Sequence, residues 1–296
     1  MKPGTTGVVT DVPGLVSLWP YQPGKLPLSC YIKYGWQALG ARRAPPFCTI
    51  KPVTRQKRWL VYFIYAPDGV LQSYHDYTLS RLAKQDINVL VVQASRKRND
   101  ISPEIQQRCD ALFWKALGGY DFSAYAIALD ALATHSPGAD VLVMNDSIYG
   151  PFCDLTPFYK IARWDLTGFT ASNGGSQKHI QSYAFILKDV TPKRMHDLEW
   201  IFSPNFVFNS AEGAVACQEL WLARVASRSM SVGSFWYGIE ATAGEKAMTQ
   251  DPSLSKGIEL LKAGFPFLKR SLHGKHDYLH LADAAIEQLQ RLGHPL

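Results

Sequence analysis

The side chains best suited to chemistry in this 296-residue chain are isolated polar groups set in apolar or turn-forming stretches. Asn145-Asp146-Ser147 follows the apolar run Val141-Leu142-Val143-Met144 and runs into Gly150-Pro151. A short apolar run bounded by turn signals reads as a strand buried on both faces. An acid at its end lies where open α/β folds take their ligands, and it can meet a charged substrate or a cation. The bland alternative is an acid that caps the turn. Glu219 is the only acid in the apolar helical stretch from Ala214 to Ser227. Such a carboxylate must be paired, neutralised or functional. Arg224 lies five positions on, about 140° around a helix, and does not share its stripe. A structural salt bridge to another basic residue accounts for Glu219 equally well. His179, Gln181 and Tyr183 alternate with Ile180 and Ser182 in a strand-like run to Leu187, so the three share one sheet face. A lone histidine at a strand start is often structural.

Positioning these groups falls to elements that follow one another in order. Trp59 to Ala66 reads as a strand ended by Pro67-Asp68-Gly69. Leu71, Tyr74, Thr78 and Leu82 predict a helix over 70–84, and Ile87 to Ala94 a second strand. Together they make a βαβ unit with a right-handed crossover. Neither strand is followed by G-x-G-x-x-G or a P-loop, which disfavours a standard dinucleotide or Walker site. Ser102-Pro103 opens a short helix. Gly118-Gly119 precedes a helix marked by Ala124, Ile127, Ala128, Ala131 and Leu132; paired glycines admit a ligand close to the backbone, though a plain turn is their commoner use. A helix near 155–163 follows, then a strand from Leu166 to Ser172 and a turn at Asn173 to Ser176. Thr191-Pro192 caps a helix carrying Met195, Leu198, Ile201 and Phe202. A last strand runs from Ser231 to Tyr237, Gly264 to Arg270 is a loop, and Tyr278, Leu281, Ala285, Ile286 and Leu289 define a closing amphipathic helix.

Residues 1–57 are rich in Pro and Gly, and we read them as an irregular extension with a short strand near Leu28 to Lys33. Tyr31, Tyr34, Trp36 and Leu39 beside Arg42-Arg43 fit an interfacial helix with a basic end. They fit better a segment packed over the main domain.

Composition narrows the function. The net charge of +6 favours phosphate-bearing partners, and a nucleotide donor or an anionic membrane surface accounts for it. No basic helix, zinc finger or RNP-like pattern accompanies the charge, so nucleic acid is not expected as a partner. Five dispersed cysteines with no C-x-x-C pair argue against a zinc site or disulfide framework. Without a signal peptide or an apolar run long enough to span a bilayer, the expectation is a reduced, cytoplasmic protein, at most peripheral at the inner face of the cell membrane.

Several of these pieces together resemble the rhamnan synthesis protein F family of bacterial polysaccharide assembly. The matching residues are Gly119-Tyr120-Asp121-Phe122, Asn145-Asp146-Ser147 with Gly150-Pro151, and Asp165 with Gly168-Phe169-Thr170. They continue with His179-Ile180-Gln181-Ser182-Tyr183, Glu219, and Gly264 with Pro266-Phe267-Leu268-Lys269. The resemblance covers roughly residues 60–272, and its order and spacing carry more than any single motif. It departs at Trp114-Lys115-Ala116-Leu117, where a basic-acidic-Asn element usually stands.

The resemblance implies a GT-A-like (Rossmann-like) α/β domain over 58–240, with a mostly parallel sheet flanked by helices. Residues 1–57 would be the irregular extension and 241–296 a C-terminal loop and helical appendage. It implies a glycosyltransferase that moves a sugar, rhamnose by the family's name, from a nucleoside-diphosphate-sugar to a growing surface polysaccharide or lipid-linked glycan. Asp146 would meet the donor diphosphate through Mg²⁺ or Mn²⁺, with Asn145 and Ser147 beside it. Tyr120 and Asp121 would meet the nucleoside, Gln181 and Tyr183 the sugar, and Lys269 or Arg270 a phosphate. Glu219 would be the catalytic base, Asp165 the second candidate, and His179 would bind the diphosphate or orient the acceptor. The rival from another class is a non-catalytic glycan-binding protein of polysaccharide assembly.

Overall fold

The N-terminal segment is built into the sheet. In the computed structural model, which describes residues 8–173, 177–238, 251–272 and 281–295, β1 (Leu15–Pro20) lies in the central sheet. Where a short strand was expected, α1 (Leu28–Ala38) forms instead. Tyr34 and Ala38, one helical turn apart, pack against the cluster of Phe208, Ala214 and Cys217, and tertiary packing decides the conformation. After it come β2 (Ala41–Arg43) and β3 (Phe47–Lys51), the latter an edge strand of the central sheet. An extension expected to be irregular therefore closes both edges of that sheet.

The expected βαβ unit follows as β4 (Arg58–Tyr65), α2 (Ser73–Leu82) and β5 (Asn88–Ala94), with the strands parallel from Trp59 opposite Asn88 to Tyr65 opposite Ala94. In α3 (Pro103–Gln107), Ser102 accepts the Glu104 N–H at 3.3 Å, as its position before a proline suggested. The stretch that departs from the family pattern begins in a strand, β6 (Ala111–Lys115). Beyond it lie α4 (Tyr120–His135), β7 (Ala139–Asn145), β8 (Ile148–Tyr149), α5 (Thr156–Ile161) and β9 (Leu166–Ser172).

The strand expected over 179–187 is broken. β10 (His179–Ile180) pairs with β9, a turn occupies Ser182–Tyr183, and β11 (Ala184–Val190) inserts between β9 and β7. His179, Gln181 and Tyr183 consequently do not share one face of a continuous strand. The chain continues through α6 (Pro192–Asp197), β12 (Phe206–Phe208) and α7 (Ala211–Ala214). A π-helical turn, Val215–Glu219, leads into α8 (Leu220–Ala226) and then β13 (Val232–Gly238). The helix capped by Thr191 is shorter than its apolar spacing predicted, ending before Leu198, Ile201 and Phe202, which are nonetheless buried. Last come α9 (Pro252–Ser255), α10 (Gly257–Lys262), β14 (Leu268–Lys269) and α11 (Ala282–Arg291). Tyr278, most of the turn at 173–176 and the boundary at 240/241 lie outside the described residues.

The central sheet runs β1-β13-β9-β11-β7-β4-β5-β6-β3. Strands β13, β9, β7, β4, β5 and β6 point one way, with β1, β11 and β3 opposed. The sheet is thus mostly parallel in direction and flanked by helices, the α/β class expected. Burial on both faces follows from β4: Trp59, Val61 and Phe63 join the core under α4 and α8. Leu60, Tyr62 and Ile64 join the one under α2 and α5. That is why its sequence is a continuous apolar run instead of an alternation. A smaller third cluster, with Leu254, Ile258, Leu272 and Leu289, ties the C-terminal helices to β14.

Candidate functional site

Because β4, β6, β7 and β9 run in one direction, their C-terminal ends share one edge, and most of the chemistry collects there. Asp146 follows β7 directly. Its Oδ2 accepts the Tyr65 backbone N–H at 2.9 Å and lies 3.1 Å from His75 Nε2. His75 is fully buried on α2, and its Nδ1 accepts the Gln72 N–H at 3.1 Å, so Nε2 carries the hydrogen that goes to Asp146. One carboxylate oxygen is fixed by two donors; Asp146 also lines a cavity. His75 was not expected, yet the signal was in the sequence. The buried residues His75, Thr78, Leu79 and Leu82 recur at helical spacing on the inward face of α2.

Asn145 ties the strand end to α4. Its Nδ2 donates to Asp121 Oδ2 at 2.8 Å, while its Oδ1 accepts from Ser147 N at 3.0 Å and Ser147 Oγ at 2.6 Å. Gly118, Gly119 and Tyr120 bring Asp121 into place through three successive residues with positive φ, 105°, 71° and 47°. At Gly119 a Cβ would lie 2.7 Å from Ser123 and Val207 atoms, so close helix packing demands glycine there. Tyr120 pays the usual cost of a left-handed conformation, a strain that tends to persist at functional sites. Burial, then the neighbouring Glu219 charge, pushes the Asp121 carboxyl up to about 6, against the Asn145 hydrogen bond.

A cavity of about 500 Å³ opens along this edge. Tyr120, Asp121, Asn145, Asp146 and Ser147 line it with Phe63, Tyr65, Lys115 and Asn209. Lys115 is 1% exposed. Its Nζ donates to Gly118 O at 2.7 Å, and burial lowers its amine to about 8, with Asp121 opposing the shift. This lysine was not singled out from the sequence, because β6 was not anticipated.

A second cluster adjoins the first. Glu219, at the end of the π turn, accepts from Ser182 Oγ and, at 3.4 Å, from Ser182 N. Such turns recur at functional sites because they re-aim one side chain. His179 Nδ1 lies 3.1 Å from Gln177 O, leaving Nε2 to face Ser172 Oγ at 3.4 Å and Glu219 Oε1 at 4.0 Å. Gln181 donates to the same Ser172 Oγ at 3.2 Å. Tyr183 is buried, 2.6 Å from Thr170 Oγ1, with Lys269 Nζ 4.1 Å from its ring centroid. Buried beneath that ammonium, its ring has no exposed face for the sugar stacking that was expected. Desolvation lowers the Lys269 amine, while Asp251, Glu219 and Asp121 all act to raise it.

The segment expected to be a loop holds the clusters together. β14 pairs with β8, Leu268 opposite Tyr149 and Lys269 opposite Ile148. Arg270 N donates to Ser147 O at 2.9 Å, its Nη1 to Asp146 O at 2.5 Å, and its guanidinium lies 3.8 Å from the Tyr74 ring centroid. Asp165 is the candidate left out. It precedes β9 at the opposite edge of the sheet, bonded to Ser231 and 3.1 Å from Arg194. Burial raises its carboxyl, but the Ser231 hydrogen bonds and Arg194 outweigh that and hold it below the ordinary range. It is a structural acid joining β9, α6 and the start of β13.

Among the described residues no three His, Cys, Asp or Glu side chains gather as a metal site. No described helix is long and apolar enough to cross a membrane.

The sequence profile described as "Rhamnan synthesis protein F" matches residues 89–294. A virulence protein of Vibrio anguillarum, VirA, is 29% identical over 137 residues, 44% of this chain and 42% of its own length. The match thus spans less than half of that relative. Among solved structures, Staphylococcus aureus TarS (residues 1–349) with UDP-GlcNAc is 15% identical at TM-score 0.36, over 69% of this chain and 64% of that one. The galactosyltransferase LgtC, with donor and acceptor sugar analogues, is 11% identical at TM-score 0.33, over 48% of this chain and 62% of that one.

Proposed function

Since the chain belongs to the rhamnan synthesis protein F family, we propose that it transfers a sugar from a nucleoside diphosphate to a growing, lipid-linked surface polysaccharide. One observation carries the reading. Asp121, Asn145 and Asp146 line a single cavity at the strand ends, and Glu219 stands close enough to Asp121 to perturb its ionisation. The cavity is of the size that encloses a small ligand. In this reading Phe63, Tyr65 and Tyr120 take the nucleoside, with dTDP-rhamnose the donor the family name suggests. Asp146 and Lys269 take the diphosphate.

Glu219 is the base. The acceptor oxygen attacks the anomeric carbon and the bond to the diphosphate oxygen breaks. The nucleoside diphosphate leaves with the electron pair, and the acceptor's proton passes to the Glu219 carboxylate. Ser182 holds Oε2, which orients Oε1 toward His179 and the acceptor side.

Asp146 fits a divalent cation only in one manner. A single carboxylate suits Mg²⁺ or Mn²⁺ that takes its other ligands from substrate phosphate and water. Such a cation would offset charge on the departing diphosphate.

Calorimetry with UDP, dTDP and GDP and their sugars tests donor binding, and chelation followed by Mg²⁺ or Mn²⁺ tests the cation. Asp146→Ala is expected to lower transfer by about 10²–10³-fold and Glu219→Gln by about 10²–10⁴-fold. Full transfer or donor hydrolysis by both variants would remove the assignment. A protein that binds glycan but no nucleotide would instead be the non-catalytic assembly factor.

A further inference from the structure

The positive charge of this chain is concentrated in one stretch. Between Asp11 and Asp68 there is no Asp or Glu, while eight Lys and Arg residues fall in that interval, Lys25, Lys33, Arg42 and Arg43 among them. The other 23 basic residues face all 25 acids, so residues 12–67 carry +8 and the remainder −2. In the middle of that acid-free stretch lies α1.

This helix has two unlike faces. Tyr34 sits 4.6 Å from the Trp221 ring, and Cys217 donates to Tyr34 O at 3.8 Å, which docks one side on the π turn and α8. On the other side Leu28, Ile32, Trp36 and Leu39 are 74%, 54%, 72% and 73% exposed. Steps of four, four and three residues put these four within about 80° of one another on a helix. Single exposed apolar residues are ordinary, whereas four on one stripe of a short helix, with no element over them among the described residues, mark an interaction surface. Exposed Arg42 and Arg43 follow in β2, whose partner strand sets Phe206 opposite Arg43 and, 6.2 Å from Phe206, the exposed ring of Trp200.

We propose that this face of α1 docks the protein on an anionic lipid bilayer. An apolar stripe bearing Trp and flanked by Lys and Arg is the chemistry that lies in the headgroup plane. The +8 charge of residues 12–67 around it fits anionic headgroups. The helix rests on Trp221, two residues beyond Glu219. On the sugar-transfer reading, the bilayer would then lie beside the acceptor side of the site; the docking itself does not depend on that reading.

Flotation with phosphatidylcholine vesicles, plain or with about 30% phosphatidylglycerol, tests it. The protein is expected to float with the anionic vesicles, to stay behind with the plain ones, and to detach at about 0.5 M salt. Trp36→Glu combined with Leu39→Glu is expected to weaken flotation by about tenfold or more. Melting should not change, since both side chains are exposed. Failure to float with anionic vesicles overturns the proposal, as does undiminished flotation of the variant. So does a variant whose only change is loss of a dimer in sedimentation, since the stripe would then belong to a second copy. Transfer to a water-soluble acceptor, measured on the same variant, separates loss of docking from failure of the sugar-transfer reading.

Discussion

Replacing Asp121 by Asn should make the protein more stable at alkaline pH and less active. The Asp121 carboxyl titrates at about 6 in the folded chain against 3.8 in the unfolded one. A group whose folded pKa is raised contributes its stability fully below the unfolded value and loses it as the pH rises through the folded value. Above pH 6 the ionised carboxylate therefore costs about 3 kcal/mol, from about 2.2 units at about 1.4 kcal/mol each. The two oxygens accept from Asn145 Nδ2 and Phe122 N. An amide keeps only one of those bonds, at a loss of about 1 kcal/mol. The net gain of Asp121→Asn at pH 8 is about 2 kcal/mol, or about 3 °C in melting temperature for a chain of this length. At pH 4 almost nothing of it should remain. Thermal unfolding followed by circular dichroism at the two pH values measures the difference. An equal effect of the substitution at both, or destabilisation at pH 8, would refute the argument that burial and Glu219 make this carboxylate costly. Transfer activity measured in parallel should fall, because the stability given up at Asp121 is then seen to serve the site.

Lys115→Met obeys the same linkage with the opposite sign. Its folded pKa of about 8 lies below 10.5, a cost of about 3 kcal/mol at pH 7. Less about 1 kcal/mol for the lost hydrogen bond to Gly118 O, the variant should be about 2 kcal/mol more stable there, with the gain gone above pH 10.5; denaturant titrations at both pH values check this. Gly119→Ala combines a left-handed backbone with a 2.7 Å contact to Ser123 and Val207 and should cost about 2–5 kcal/mol, read from the melting temperature. His75→Leu leaves Asp146 Oδ2 with only the Tyr65 N–H and orphans the Gln72 N–H. It should cost about 1–3 kcal/mol in chemical denaturation, and transfer should fall with it.

Much of this was legible in residue order. The apolar runs that form β4, β5 and β7 are buried on both faces, a condition that leaves its mark on every position. Gly118-Gly119 announced the start of α4, and Asn145-Asp146-Ser147 the edge where the cavity lies. What stayed hidden depended on partners distant in sequence. β1 and β3 are edge strands, each paired on one side only, and their Pro- and Gly-rich surroundings look irregular without β13 and β6. The break at Ser182–Tyr183 could not be read from alternation, since Gln181 leaves the strand to meet Ser172. β14 is two residues long and exists because β8 is there to pair with. Asp165 misled for a related reason: an acid beside a strand has the same local sequence at either end of a sheet, and only strand direction separates them.

The pairing of β14 with β8 joins residues about 120 positions apart, which has a consequence for biosynthesis. A ribosome that has released residues up to Gly238 has supplied every strand of the central sheet and the whole lining of the cavity. Lys269 and Arg270 are still to come, and without them the carbonyl of Asp146 lacks its guanidinium and Tyr183 its ammonium. Domains fold as they emerge, so the sheet can form first while Lys269 and Arg270 reach it last. The nascent protein has its scaffold before it has these two cations to close it.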